Sequence, residues 1–85
     1  MDRKKQIKRL RIRSWRRGFK ELDLLLGTFA DKAIEKLDPN DLDEYEKLLM
    51  VDDYVVYSWL TGKEECWPQM KSIVVKIKSG MSKSM

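Results

Sequence analysis

Phe19-Lys20-Glu21-Leu22-Asp23-Leu24-Leu25-Leu26-Gly27-Thr28-Phe29-Ala30-Asp31-Lys32-Ala33-Ile34-Glu35-Lys36-Leu37 carries the most regular pattern in the chain. Phe19, Leu22, Leu25, Leu26, Phe29, Ala30, Ala33, Ile34 and Leu37 recur at i, i+3, i+4 and i+7 without a miss. Such spacing lays an apolar stripe along one side of a helix, and the stripe needs a core to cover it. Leu25, Leu26 and Phe29 are assigned to that core. Gly27 falls on the opposite face, where it either weakens the helix or lets another group come close.

Upstream lies Arg16-Arg17-Gly18. Arg17 and Glu21 are four apart, so a helix continued backward sets both on one face beside the bare backbone of Gly18. A glycine inside a helix costs roughly 1 kcal/mol relative to alanine, a large loss for so small a chain. Before it, Ile7, Leu10 and Ser14 or Trp15 mark one side of a basic helix over about residues 3–15.

Downstream, Asp38-Pro39 reads as an N-cap with proline at the first helical position. The helix that follows carries Leu42, Tyr45, Leu48 and Leu49. Asp52-Asp53 caps a short fourth helix bearing Tyr54, Val55, Tyr57, Ser58, Trp59 and Leu60, with Thr61-Gly62 as its stop. A fifth helix begins near Trp67-Pro68 and shows Met70, Ile73, Val74 and Ile77. Val74-Val75-Lys76-Ile77 is the only β-rich stretch, and helical spacing explains it equally well. The expected fold is all-α: a compact five-helix bundle in a single domain over residues 1–85. A basic N-terminal arm over about 1–9 and a mobile tail over about 79–85 complete the expectation.

The net charge of +4 conceals an asymmetry. Residues 1–17 hold nine Lys/Arg against one Asp, residues 18–67 five Lys against thirteen Asp/Glu, and residues 68–85 four Lys. A basic arm suits nucleic acid, anionic lipid or an acidic protein surface. The acidic middle opposes the first two and can attract the arm within the chain. No apolar run approaches the ~20 residues needed to cross a bilayer, and no secretory h-region precedes Trp15. The single cysteine, Cys66, excludes an intrachain disulfide and favours a reducing compartment. A bacterial cytoplasm is expected over a mitochondrial matrix, because the patterned region starts close to Met1 and Asp2 is unusual in a presequence.

Enzyme chemistry is not expected. The chain has no histidine, which removes imidazole nucleophile pairs, and one cysteine cannot build a zinc or redox spacing. Gly18, Gly27, Gly62 and Gly80 are too scattered for a phosphate loop. Asp43-Glu44, Asp52-Asp53 and Glu64-Glu65 read as caps and solvated faces, since adjacent helical residues point apart. A chain this short is expected to lack a deep pocket of ~300–1,000 Å³.

Three blocks resemble one family. Arg17-Gly18-Phe19-Lys20-Glu21 matches the Arg-Gly-x-x-Glu motif of the SdhE family, the succinate dehydrogenase flavinylation factors. The likeness continues through Leu22-Asp23 and resumes at Leu48-Leu49-Met50-Val51-Asp52-Asp53 and Tyr57-Ser58-Trp59-Leu60-Thr61-Gly62, covering roughly residues 10–78. The resemblance implies a small helical assembly factor, not an enzyme. Its partner would be the flavoprotein subunit of succinate dehydrogenase and, in bacteria, also of fumarate reductase. It would promote covalent attachment of FAD to a histidine of that client, with no cofactor held by the factor itself. By position, the client-binding residues would be Arg17, Gly18 and Glu21, joined by Asp52 and Asp53 from the second block; Trp59 matches the third.

The residues admit the same reading. Gly18 leaves room for a partner's backbone, Arg17 offers a planar fork of donors, and Glu21 can accept from a cation or an N–H. Asp52 is read as a cap, Asp53 as exposed and available to a partner, and Trp59 as core. Gly18→Arg is expected to block docking while leaving the fold intact. A monomer without nucleic acid or membrane insertion is expected. The alternative is a nucleic-acid-binding module that uses the basic first helix.

Overall fold

The protein was described from a computed structural model that covers residues 2–83, with side chains through Met81. Five α-helices form it: α1 (Arg3–Ser14), α2 (Lys20–Ala33), α3 (Pro39–Leu48), α4 (Asp53–Leu60) and α5 (Lys71–Lys83). Short 3-10 turns at Ile34–Lys36 and Pro68–Met70 extend α2 and introduce α5. No strand occurs among the described residues. The all-α expectation holds.

The expected caps are present. Asp38 accepts from the Asp41 backbone N–H at 2.8 Å, with Pro39 opening α3. Asp52 accepts from the Tyr54 N–H at 2.9 Å at the head of α4. Each supplies an acceptor to a helix N-terminus that would otherwise leave donors unpaired. Gly62 follows the end of α4 with φ +79°, a left-handed conformation open to glycine.

The core is the meeting of the apolar stripes. Leu10, Leu22, Ile34, Tyr45, Leu48, Ile73 and Ile77 are fully enclosed. Trp59 is buried as expected, its ring edge-on to Trp67 at 5.0 Å. Leu25 departs from its core assignment: it is half-buried at the margin. In α4 the inward residues are Trp59, Leu60 and Val56, the last absent from the expected set, while Tyr54 stands 73% exposed.

Among the described residues, Ser14 and Asp41 are the buried polar ones. Ser14 donates to the Leu10 carbonyl at 2.7 Å, which leaves its oxygen to accept from the Tyr45 hydroxyl at 2.6 Å. That short chain satisfies both groups inside the core, and burial pushes the Tyr45 hydroxyl pKa well up. Asp41 accepts from the Ser72 hydroxyl at 3.0 Å and from the Lys76 ammonium, tying α3 to α5. The Lys76 hydrogen bond holds the Asp41 carboxyl below its ordinary value against the opposing effect of burial.

One further sequence expectation needs correction, and both ends of the chain gain detail. The basic residues 3–9 lie within α1, in keeping with the helix expected over about 3–15, and Ile7 and Leu10 enter the core. Arg9 pairs with Glu46 at 3.1 Å, Arg11 with Glu35 at 3.5 Å, and Arg3 donates to the Leu37 carbonyl. The acidic middle thus draws the basic helix onto the bundle. At the other end α5 runs on to Lys83, and Met81 packs against the core. Ser84 and Met85 lie outside the described residues.

The correction concerns Gly18. Gly18 is not inside a helix. α1 ends at Ser14, and Phe19, with φ −151°, is the extended residue that precedes α2. Arg17 and Glu21 therefore share no helical face.

Candidate functional site

The loop between α1 and α2 is fastened to the junction of α3 and α4. Arg17 Nε and Nη2 both donate to Asp53 Oδ1, at 3.0 and 2.8 Å. Nη2 also reaches the Leu49 carbonyl at the end of α3, at 2.8 Å, and Nη1 the Arg13 carbonyl at 3.3 Å. The backbone N–H of Arg17 donates to the Asp23 carboxylate. Asp53 Oδ2 accepts the Gly18 N–H. One arginine and one aspartate thus close a clasp between segments more than thirty residues apart. Their side chains are only 11% and 22% exposed, so water screens the pair weakly.

The clasp supplies the reason for the glycine. A Cβ at Gly18 would lie 2.7 Å from Asp53 Oδ2. The backbone comes close to the carboxylate, and no positive φ is involved. The bare backbone at position 18 is therefore filled from within the molecule. For the same reason Gly18→Arg does not leave the structure untouched, because any side chain must displace Asp53.

The five sequence-selected residues fall into two groups. Arg17, Gly18 and Asp53 are engaged with one another, and Asp53 is not the available carboxylate that the sequence suggests. Glu21, in the first turn of α2, is exposed and unpaired among the described residues. Asp52 is exposed beyond its capping bond. The structure adds what periodicity could not rank. Phe19 stacks on Tyr54 with centroids 4.9 Å apart and meets Tyr57 edge-on at 5.0 Å. Met50 is 73% exposed, its sulfur accepting from Arg13 at 2.9 Å. Met50 and Tyr54 flank Asp52-Asp53 and present apolar surface bordered by charge. The only hint of this in the sequence was Tyr54 next to a cap, where the first turn of a helix is commonly solvated.

Two open grooves occur elsewhere, of about 450 and 530 Å³. Space of that size was not expected in so short a chain. Both are surface clefts, not enclosed pockets. Cys66, half-buried, lines the smaller one. No group of three or more His, Cys, Asp or Glu residues could hold a metal ion among the described residues.

Residues 8–81 match the family described as "Flavinator of succinate dehydrogenase". The chain belongs to that family. Among curated relatives, "FAD assembly factor SdhE" of Legionella pneumophila is 41% identical over 64 residues, which is 75% of this chain and 81% of that protein. "Succinate dehydrogenase assembly factor 2, mitochondrial" of Lodderomyces elongisporus is 40% identical over 67 residues, 76% of this chain and 41% of the relative. Its namesake in Meyerozyma guilliermondii is 42% identical over 60 residues, 71% and 44%. The chain thus spans less than half the length of these fungal relatives and most of the bacterial one. No solved structure matches it significantly. No helix among the described residues is long and apolar enough to cross a membrane.

Proposed function

We propose that this chain binds the flavoprotein subunit of succinate dehydrogenase and promotes covalent attachment of FAD to a histidine of that subunit. The observation that carries the reading is the clasp, which holds the motif loop against the head of α4, next to exposed Met50, Asp52 and Tyr54. An interface with apolar anchors inside a charged rim is the usual anatomy of a docking site.

In this reading the chain makes no bond. It has no histidine to offer; the nucleophile and the flavin are the client's, and the chain favours a client conformation in which the two can react. Arg17, Gly18 and Asp53 act as positioning residues, while Glu21 and Asp52 contact the client. The flavoprotein of fumarate reductase is a second client of the same kind. The chain acts as a monomer in the client's compartment, and FAD is bound by the client alone. The family match and the names of the relatives support this reading. The nucleic-acid alternative is weakened, because Arg3, Arg9, Arg11 and Arg17 each bond to acceptors of the same chain.

Calorimetric titration of the purified chain into the flavoprotein subunit tests the proposal. One chain per subunit is expected, with Glu21→Arg weakening affinity at least ~10-fold at an unchanged melting temperature. No binding by the native chain would overturn it.

A further inference from the structure

Helix α1 carries two kinds of cation, and they do different things. Its arginines turn toward the bundle. Arg9 meets Glu46 of α3, and Arg11 meets Asp31 and Glu35 at 3.7 and 3.5 Å. The acids beside α1 are thereby answered. The lysines take no part. Lys4, Lys5 and Lys8 are exposed, and their ammonium groups have no acceptor among the described residues. Arg16, just past the helix, is exposed with its guanidinium equally unpaired.

Helical geometry gathers these groups. Ile7, Leu10 and Ser14 face the core. At about 100° per residue, Lys5, Lys8 and Ile12 fall on the opposite, outward crest, with Lys4 and Arg16 beside it. Ile12 stands 45% exposed in the middle of this basic stripe. Trp15 lies at its end, with the indole packed over Gly27 of α2 and part of the ring in solvent. Helix α1 contains no acidic residue, and Asp2 at its head is turned to the Lys4 backbone N–H.

Each class of occupant makes its own demand. Carboxylates fixed on a protein are best met by guanidinium forks, and those of Arg9 and Arg11 are already spent on the bundle. A single nucleic-acid strand wants an open aromatic platform, and the Trp15 face is covered by α2. The phosphates of a duplex have no use for Ile12. Lipid headgroups are mobile, so flexible point charges suit them, and an isoleucine finds apolar surroundings just beneath.

We propose that the outward crest of α1 adsorbs to an anionic lipid surface, with Lys4, Lys5 and Lys8 among the headgroups and Ile12 dipping below them. The contact is peripheral and reversible, since one isoleucine and part of an indole bury too little apolar area for lasting insertion. This surface goes beyond the flavoprotein reading, uses none of the residues assigned to it, and would stand if that reading fell.

Flotation of the full chain with lipid vesicles tests it. The chain should float with phosphatidylglycerol–phosphatidylcholine vesicles at low salt, leave them as salt rises, and ignore pure phosphatidylcholine. Lys5→Glu/Lys8→Glu should lower binding at least ~10-fold at an unchanged melting temperature. Lys71→Glu/Lys78→Glu, the same change of charge on exposed α5 positions, should leave it within ~2-fold of native. Ile12→Ser should weaken it ~3-fold. The proposal is overturned if the anionic vesicles are ignored, whatever DNA duplex or acidic protein the same lysines then bind. It is equally overturned if the α5 pair costs as much as the α1 pair, which would mean attraction by net charge alone, or if Ile12→Ser binds like the native chain.

Discussion

Two aspartates join distant parts of this bundle, and they do so differently. Asp41 is almost sealed, its side chain 5% exposed, and it is met by a lysine and a serine from one helix. Asp53 is more open and is met by an arginine fork and a backbone N–H from one loop. A lysine supplies a point charge that tolerates movement, whereas the planar guanidinium and the N–H fix direction as well as distance. The surroundings differ too. Beside Asp53 along the chain stand exposed Met50, Asp52 and Tyr54, while Asp41 is met by Ser72 and Lys76 of α5. On the proposed reading, the sealed ionic link serves the fold and the directional one fixes the loop that would face the client.

Arg17→Ala should have the largest effect on stability. It strands a half-buried carboxylate and the Leu49 carbonyl, a loss of ~2–3 kcal/mol after allowance for partial exposure. Thermal melting should fall by roughly 10 °C or more, and client affinity should fall with it. A melting temperature within a degree of native would dissolve the contrast.

Asp41→Asn should destabilise less and leave client binding alone. Because the folded Asp41 carboxyl is held below its ordinary value of 3.8, its contribution is present above that pH and is lost as pH falls through the lowered folded value. Urea titrations should therefore show a native-to-variant gap at neutral pH that closes in strong acid. For Lys76 the folded value is raised above 10.5, so its contribution is full below that pH and is lost as alkali passes the raised value.

Gly18→Ala comes next. Displacing Asp53 should cost ~1 kcal/mol, read by chemical denaturation, together with a measurable loss of client affinity. Tyr54→Ala should change stability least, within ~0.5 kcal/mol for a surface residue, yet weaken the flavoprotein complex ~10-fold. Equal binding by this variant would move the docking surface elsewhere.

Much of the fold was legible because each helix carries its own punctuation. Asp38-Pro39, Asp52 and Thr61-Gly62 act locally, and their caps fall where the residues indicate. Helix continuity was harder. Phe19 keeps the apolar period of α2 although it precedes the helix, since a residue packed beside a helix start satisfies the same stripe. Gly27 shows the same limit. It is buried in α2, and a Cβ there would run into the Trp15 indole, so its reason lies in a neighbour brought up by the loop. The motif was readable as a likeness, but not the engagement of Arg17 and Gly18 with Asp53, a tertiary contact that no spacing along the chain encodes. Met50 and Tyr54 were missed because apolar residues in a short helix carry no mark of which side faces water.

Reconstitution with the purified succinate dehydrogenase flavoprotein subunit and FAD tests the central claim most directly, with covalent flavin read by fluorescence in denaturing gels. Added native chain should raise covalent flavin well above the level reached with FAD alone, Glu21→Arg should fail to do so, and Asp41→Asn should match the native chain. Equal flavin loading with and without the chain would contradict the account.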